Sequence, residues 1–264
     1  MGGAVLAGWN MAGLDLSPVT VIRPSGRSVE GARVVTCAAD AGSPPKVAVL
    51  AFKPQKLDEI AGELRRHLSA RTTLVSLLAG VEAASLRQRF PGVGAIVRAM
   101  PNLPAAVRRG VTGLFSADAD EDVRQELGNL FVALGFAMWM ADEQKLAALG
   151  SVAGAGPAYV ARFIAALTKA GVKRGLSEEI AATLALETVL GTAWMAATKG
   201  DSMDSIARRV ASPKGTTQAG LDVLDRDNVL DELVSLTIEA AARRGAELAE
   251  QARTPSLADQ PRLS

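Results

Sequence analysis

The sequence predicts an α/β protein in which a doubly wound parallel sheet forms an N-terminal domain and an all-helical domain follows. Aromatic residues make up only 4% of the 264 residues, a composition that favours helices and parallel strands over an aromatic-rich β-sandwich. Short apolar runs alternate with helical patterns over residues 1–140, which is the rhythm of βαβ units. From about Asp142 onward the strand signals disappear, and helical segments rich in alanine and leucine replace them.

Four apolar runs predict the strands of the first domain: residues 19–22, 46–52, 73–78 and 94–98. The run 47–52 is apolar at every position, which is typical of a strand that helices cover on both faces. The segment 57–68 has a helical pattern and is predicted as a crossover helix between two parallel strands. The sheet is therefore expected to be parallel.

The helices predicted for the second domain cover residues 157–170, 177–198, 201–210 and 230–249. The segment 180–195 is apolar on more than one face, which predicts burial against a partner subunit. The predicted boundaries are 1–140 for the sheet domain, 141–252 for the helical domain and 253–264 for a flexible tail. The tail holds two prolines and few apolar residues.

The charge and the cysteine content exclude several classes of function. The chain has 29 Lys and Arg against 28 Asp and Glu, and no basic stripe, so nucleic acid is not expected as a partner. One cysteine and one histidine form neither an intrachain disulfide nor a Cys/His zinc site, so no metal is expected. There is no run of about 18 apolar residues and no secretory signal pattern. We therefore expect a soluble cytoplasmic protein without a membrane partner.

The glycines at the start of the chain resemble the second half of a dinucleotide-binding fingerprint. Rossmann-type domains carry G-x-G-x-x-G between the first strand and the first helix, where backbone N–H groups meet a pyrophosphate. The sequence Met1-Gly2-Gly3 runs directly into a helical pattern, so Gly2 is a candidate cofactor residue, with a frayed terminus as the alternative. The expected strand and G-x-G are absent, and we expect them to be encoded upstream of Met1.

A second cofactor signal follows the first predicted strand. NAD-binding domains place an acidic residue there on the ribose, whereas NADP-binding domains place basic or hydroxyl groups on the 2′-phosphate. This chain has Arg23, Ser25 and Arg27, which suit a phosphate through charge-assisted hydrogen bonds. Ordinary loop arginines are the alternative interpretation. If a dinucleotide binds, the pattern favours NADP.

Five segments carry a resemblance to a known family: A-F-K-P-Q at 51–55, S-L-L-A-G-V at 76–81, R-A-M-P-N-L-P at 98–104, G-A-G-P-A-Y at 154–159 and S-P-K-G-T-T-Q-A-G-L at 212–221. Together, in this order, they resemble pyrroline-5-carboxylate reductase over nearly the whole chain. The resemblance implies reduction of the cyclic imine 1-pyrroline-5-carboxylate to L-proline with NADPH, or with NADH as the alternative cofactor. It also implies a homodimer with interlocked helical domains, or a higher oligomer built from such dimers.

The resemblance further implies which residues bind the cofactor. Two of the matching segments follow predicted strands, which is where ligands bind in an open parallel sheet. The implied cofactor residues are Ala51, Phe52, Lys53, Pro54, Leu78, Ala79, Gly80 and Asn102, in addition to Gly2, Arg23, Ser25 and Arg27.

The segment 212–217 is predicted to bind the substrate carboxylate. Proline begins a helix well and glycine frees the backbone, so the segment offers unpaired N–H groups and two hydroxyls to an anion. The resemblance assigns Ser212, Gly215, Thr216 and Thr217 to the substrate pocket, with Thr217 as the catalytic candidate whose hydroxyl bonds near the imine nitrogen. A serine N-cap on an ordinary helix is the alternative.

One residue of this segment departs from the family. Lys214 stands where the family typically has glycine, and a Cβ is restricted there if the turn uses a positive φ, although lysine would add charge for a carboxylate. Together with the absent G-x-G, this keeps two further hypotheses open. One is a non-catalytic or N-terminally truncated relative that acts as a helical dimer or interaction protein; the other is a reductase of a different cyclic imine.

Overall fold

The structure is a computed structural model that describes residues 1–253. The predicted tail lies outside the described residues except for Arg253, which is the last residue of a helix. The chain divides into two compact units. The first contains Met1–Ala155 and the chain from Ala241 onward, and the second is Gly156–Ala240.

The first unit contains the sheet and the helices that cover it. Its elements in chain order are α1 (Gly2–Met11), β1 (Thr20–Ile22), β2 (Arg33–Val35), β3 (Val47–Leu50), α2 (Leu57–Leu64), β4 (Thr73–Ser76), α3 (Ala83–Arg89), β5 (Ile96–Pro101), β6 (Gly110–Phe115), α4 (Glu121–Val132), β7 (Gly135–Trp139) and α5 (Glu143–Leu149). The four predicted strands correspond to β1, β3, β4 and β5. The predicted helix 57–68 ends at Leu64 and continues as a 3-10 turn, Arg65–His67.

The second unit is helical, so the α/β class followed by a helical region is confirmed. It contains α6 (Gly156–Lys173), α7 (Glu178–Lys199), α8 (Met203–Val210), α9 (Thr216–Leu224) and the start of α10 (Val229–Arg253). Ser177 caps α7 by accepting a hydrogen bond from the Ile180 N–H, and Gly200 ends that helix in the left-handed conformation.

The strands form two sheets that are mainly parallel. β1 pairs with β2 in a two-stranded sheet, and the other five lie in the order β3-β4-β5-β6-β7. Every pair is parallel except β5 with β6, where Arg98 lies opposite Phe115. The expectation of a wholly parallel sheet is wrong at this pair. Its connection, residues 102–109, is shorter than the dozen or so residues that a parallel crossover needs, so the chain turns back on itself.

The glycine-rich start of the chain forms α1, a helix packed into the core of the first unit. Val5 and Trp9 are buried, and the Trp9 indole N–H donates to the carbonyl of Leu130 at 2.8 Å. The Trp9 ring meets Phe131 edge-on, with ring centroids 6.0 Å apart. The start of the chain is therefore a core helix and not a frayed terminus.

The second unit leaves much of its apolar surface exposed. Only Ala181 and Ala185 of α7 are buried, and both hydrophobic core clusters of the described residues lie in the first unit. Among residues 1–253, α7 is also the one helix long and apolar enough to cross a membrane, with a mean hydropathy of 1.4 over 18 residues. The exposed large apolar side chains of α6 and α7 are Val160, Phe163, Leu167, Val172, Ile180, Leu184, Leu186, Leu190 and Trp194.

A buried ion pair ties the sheet of the first unit to α5. The Arg98 guanidinium on β5 donates to the Glu143 carboxylate at 2.7 Å, and the Arg98 side chain is only 7% exposed. The same carboxylate oxygen accepts a hydrogen bond from the Ala83 N–H at the start of α3. Glu143 therefore joins β5, α3 and α5 through one carboxylate.

We predict that Glu143→Ala lowers the free energy of unfolding by about 3 kcal/mol, because it removes the carboxylate that bonds to the buried Arg98 guanidinium. The measurement is urea unfolding followed by circular dichroism. Glu247→Ala is the matched control, since Glu247 forms an exposed pair with Arg244 on α10. This control should lower the free energy of unfolding by less than about 1 kcal/mol. Equal losses for the two variants would contradict the prediction.

Candidate functional site

The predicted cofactor residues of the first unit follow the carboxyl ends of its parallel strands. Arg23 comes directly after β1, Ala51 after β3, and Asn102 after β5, while Leu78 lies two residues beyond the end of β4. Arg23 follows a strand of the two-stranded sheet, whereas Ala51, Leu78 and Asn102 follow strands of the five-stranded sheet and share its carboxyl edge, where ligands of open parallel sheets bind. Gly2 reaches it from α1, because a Cβ on Gly2 would lie 2.7 Å from the Ala51 Cβ.

The N-terminus of α1 is suited to an anion. Met1 occupies the N-cap position and gives no side-chain hydrogen bond to the first turn. The first N–H groups of a helix have no acceptor within the helix, so in α1 they are available to a ligand. The absence of a side chain at Gly2 keeps the backbone of this turn close to Ala51. This geometry fits the pyrophosphate of a dinucleotide.

The turn after β1 gathers two arginines and a serine. The Gly26 N–H donates to the Arg23 carbonyl at 2.9 Å, and an Arg23 Nη donates to the Arg27 carbonyl at 3.3 Å. Within residues 1–253 neither guanidinium is paired with a carboxylate. Two unneutralised guanidinium groups beside the Ser25 hydroxyl form a cationic turn that fits a phosphate.

A cleft of about 380 Å³ also touches Arg23. It is lined by α1 from Gly3 to Met11 and by Ser28, Val29 and Glu30. The cleft therefore runs along the side of α1 rather than across its N-terminus, and we do not place the pyrophosphate in it.

The loops after β3 and β4 divide into supporting and exposed residues. Leu78 is 3% exposed and belongs to a hydrophobic core cluster, whereas Ala51, Lys53 and Ala79 are exposed at the edge of the sheet. Phe52 and Pro54 are half-buried, and Pro54 opens a 3-10 turn that leads into α2. The exposed residues are the ones able to touch a ligand.

Asn102 is buried, and its side chain is engaged within the protein. Its amide nitrogen donates to the Ala153 carbonyl and its amide oxygen accepts from the Val111 N–H, both at 2.9 Å. These bonds hold the end of β5 against β6 and against the π-helical segment Gly150–Gly154. Asn102 therefore shapes the carboxyl edge through its neighbours, with both ends of its amide already bonded.

In the second unit, the predicted substrate segment forms a turn that opens α9. The Gly215 N–H donates to the Ser212 carbonyl at 2.9 Å, and Gly215 is the N-cap residue without any side-chain cap. The alternative of a serine N-cap is therefore wrong. A Cβ on Gly215 would collide with the Ser212 hydroxyl, which explains the glycine.

This turn leaves hydrogen-bonding groups available. Thr216 and Thr217 occupy the first two positions of α9, so their N–H groups have no acceptor within the helix. In the described part of the chain no hydrogen bond engages the hydroxyl of Ser212, Thr216 or Thr217. Lys214 has a φ of 58°, so the lysine sits in the left-handed conformation that a glycine adopts without strain.

One contact at the cofactor edge was not predicted from the sequence. Arg253 on α10 makes two hydrogen bonds to the carboxylate of Glu82, which lies two residues after Gly80. Hydrogen bonding from Arg253 holds the pKa of Glu82 below its usual range, so the pair stays charged at neutral pH. The two residues are 171 positions apart, and no local pattern signals such a pair.

No group of three metal-ligating side chains occurs in the described range 1–253. The groups that the candidate site offers are backbone N–H groups, hydroxyls and guanidinium groups.

Comparisons with known proteins place the chain among sequence relatives of one family. A family model described as pyrroline-5-carboxylate reductase dimerisation matches residues 143–248. The pyrroline-5-carboxylate reductase of Pseudomonas aeruginosa is 39% identical over 219 residues, which cover 83% of this chain and 80% of that protein. The enzyme of the same name from Synechocystis is 38% identical over 213 residues, covering 80% and 78%.

Solved structures give the same result. A pyrroline-5-carboxylate reductase from Coxiella burnetii matches with a TM-score of 0.83 and 31% identity, covering 93% of this chain and 94% of that one. A pyrroline carboxylate reductase from Plasmodium falciparum with NADP bound shares the fold, with a TM-score of 0.84, 24% identity and 94% of both chains covered. From the sequence relatives, which cover about four fifths of both chains, it follows that this chain belongs to the pyrroline-5-carboxylate reductase family.

Proposed function

We propose that the chain reduces 1-pyrroline-5-carboxylate to L-proline with NADPH, with NADH as the alternative cofactor. The observation that carries the proposal is the turn before α9, where Gly215 caps the helix without a side chain and leaves the first N–H groups and the Thr217 hydroxyl available. A carboxylate is the ligand that a helix N-terminus attracts, and the proposed substrate carries one next to its imine.

The mechanism requires orientation more than a strong acid or base. When bound, the dinucleotide supplies a hydride to the imine carbon, and the imine nitrogen takes up a proton. The N–H groups of Thr216 and Thr217 would hold the substrate carboxylate and fix the ring. The Thr217 hydroxyl would bond at the ring nitrogen, where charge changes during the reaction.

The residues of the first unit support the cofactor assignment. The α1 N-terminus at Gly2 would hold the pyrophosphate, and the exposed parts of the loops at Ala51, Lys53 and Ala79 would flank the nucleotide. Phe52, Pro54, Leu78 and Gly80 would shape these loops. Asn102 would act through Val111 and Ala153 on the nicotinamide side. We propose residues 1–140 as the dinucleotide-binding domain and 141–252 as the dimerisation and substrate domain.

The exposed apolar surface of the second unit supports a homodimer. Leu184, Leu190 and Trp194 on α7 are each more than half exposed, and a soluble monomer rarely leaves so many large apolar residues uncovered. The family model that covers α7 is itself named for dimerisation. We therefore propose that a second copy covers α7, in preference to a membrane, and that the dimer works in the cytoplasm.

The decisive experiment mixes the purified chain with NADPH and 1-pyrroline-5-carboxylate. We expect absorbance at 340 nm to fall, L-proline to form, and light scattering to report twice the mass of one chain, or an even multiple of it for an oligomer built from dimers. A folded dimer that neither oxidises NADPH nor forms proline would favour the non-catalytic relative. Turnover with another cyclic imine but not with this one would favour the reductase of a different substrate.

We predict that Thr217→Val lowers kcat by about tenfold to a hundredfold, because a hydrogen bond of about 1.5–3 kcal/mol is lost from the transition state. The substitution keeps the shape of the side chain. Thr198→Val is the matched control, since its hydroxyl donates to the Trp194 carbonyl of its own helix and lies outside the substrate turn. A Thr217 variant with the kcat of the control would remove this residue from the reaction.

We predict that Arg23→Ala combined with Arg27→Ala raises the KM for NADPH by about tenfold or more, because charge-assisted bonds of about 1.5–3 kcal/mol are lost. The KM for NADH should change little, since NADH lacks the 2′-phosphate. Arg71→Ala is a control for the loss of an arginine outside the site, because Arg71 precedes β4 and so lies at the amino edge of the five-stranded sheet. A parallel rise in both KM values would show that the arginines do not read the phosphate.

A further inference from the structure

The last turns of α10 lie directly on the loop after β4. A Cβ on Gly80 would be 3.0 Å from the Leu248 Cβ and 3.1 Å from the Ala249 backbone nitrogen. Gly80 also has a φ of +75°, which glycine adopts without strain. Both features require glycine at this position. The loop Leu78–Gly80, called the cofactor loop below, is therefore in backbone contact with the helix.

An ion pair fixes the end of the helix beside this contact. The Arg253 Nε donates to one Glu82 oxygen at 2.9 Å and an Arg253 Nη donates to the other at 2.7 Å. Two parallel bonds of this kind specify an orientation as well as a distance. The Glu82 side chain is 26% exposed and occupies the N-cap position of α3.

Further contacts anchor the same turn of α10. The Ala252 side chain packs against the core cluster that contains Leu78 and Val81. The Ala252 carbonyl accepts a hydrogen bond from Arg89 of α3, and Arg89 also forms a largely buried ion pair with Asp58 of α2. These contacts all lie within the first unit.

An isolated surface ion pair would contribute little. This pair differs because Glu82 follows directly after a short loop, residues 78–81, whose first and last residues are buried in the core. Leu78 and Val81 are anchored in the core, at 3% and 0% exposure, while Ala79 between them is exposed. α10 contacts Gly80, the other residue between Leu78 and Val81. The hydrogen bonds from Arg253 to Glu82 hold the chain just after it. The conformation of the loop therefore depends on where α10 ends.

We propose that the C-terminal turn of α10, residues 248–253, positions the cofactor loop for the dinucleotide, with Arg253 and Glu82 as positioning residues. The inference rests on the proposed function, because it assigns the loop to that cofactor. Neither Arg253 nor Glu82 is placed in contact with the dinucleotide or the substrate. Their loss should change cofactor affinity and leave the chemical step and the affinity for the imine unchanged.

The test compares the full chain with Arg253→Ala. Hydrogen exchange measured without any ligand should become about threefold to fivefold faster at residues 79–82, because an exposed pair contributes modestly to local stability. The Kd for NADPH, measured by titration without substrate, should rise about threefold to fivefold. The kcat and the KM for 1-pyrroline-5-carboxylate should stay within about twofold. Arg244→Ala is the matched control, since Arg244 pairs with Glu247 on the same helix.

Charge exchange gives a second variant that keeps the test valid if the first is unstable. Glu82→Arg alone should weaken NADPH binding further by placing two cations together, and adding Arg253→Glu should restore part of the affinity, since Glu250 beside position 253 favours the original arrangement. Exchange and NADPH affinity in Arg253→Ala equal to those in Arg244→Ala would overturn the inference while leaving the proposed function intact. Failure of the unmodified chain to bind NADPH would overturn both.

Discussion

The arrangement of the first unit depends on how closely α1 approaches the chain that follows β5. A Cβ at Gly8 would overlap the Ala105 carbonyl oxygen and would lie 2.7 Å from the Leu134 side chain. Only a residue without a side chain allows this approach. It buries Val5 and Trp9 of α1 in the core and brings the Trp9 indole to the Leu130 carbonyl. The same placement sets the start of α1 beside Ala51, so the candidate pyrophosphate site follows from a packing contact two helical turns away.

The two units obtain their stability in different ways. The first has two core clusters and buried polar links such as Arg98 with Glu143 and Asn102 with Val111. The second has long helices whose large apolar side chains are mostly exposed in the single chain. Burial of apolar surface is the main favourable term in folding, so these helices need a further surface to pack against. The position of the turn before α9, which these helices carry, therefore depends on the surface that covers them.

The sequence reveals those parts of the fold that depend on local patterns. The strands β3 and β4 were predicted because continuous apolar runs occur at buried parallel strands. β6 and β7 were missed because glycine lowers strand propensity and because β7 exposes Phe136 and Met138 on one face. Their glycines follow from contacts that no local pattern shows: a Cβ on Gly113 would lie 2.7 Å from Leu146, and Gly135 lies against the Gly110 backbone.

The same division holds for the candidate site. The resemblance assigned the candidate cofactor loops because the residues that match the family occur there in short motifs. It could not reveal that Gly80 supports a helix more than 160 positions later, since such a contact depends on how distant segments pack. Asn102 shows the intermediate case. Its position in a motif was visible, but its role depends on the carbonyl and N–H groups that the fold brings to it.

Lys214 shows how the substrate turn tolerates a residue that departs from the family. Its φ of 58° costs about 1–2 kcal/mol relative to an ordinary backbone conformation. The turn keeps this conformation because the Gly215 N–H is bonded to the Ser212 carbonyl and because the Ser212 hydroxyl packs against Gly215. The lysine also places a positive charge two residues before α9, at the positive end of its helix dipole. Under the proposed function, a bound substrate carboxylate would relieve that repulsion, so the lysine would make the occupied turn more favourable than the empty one.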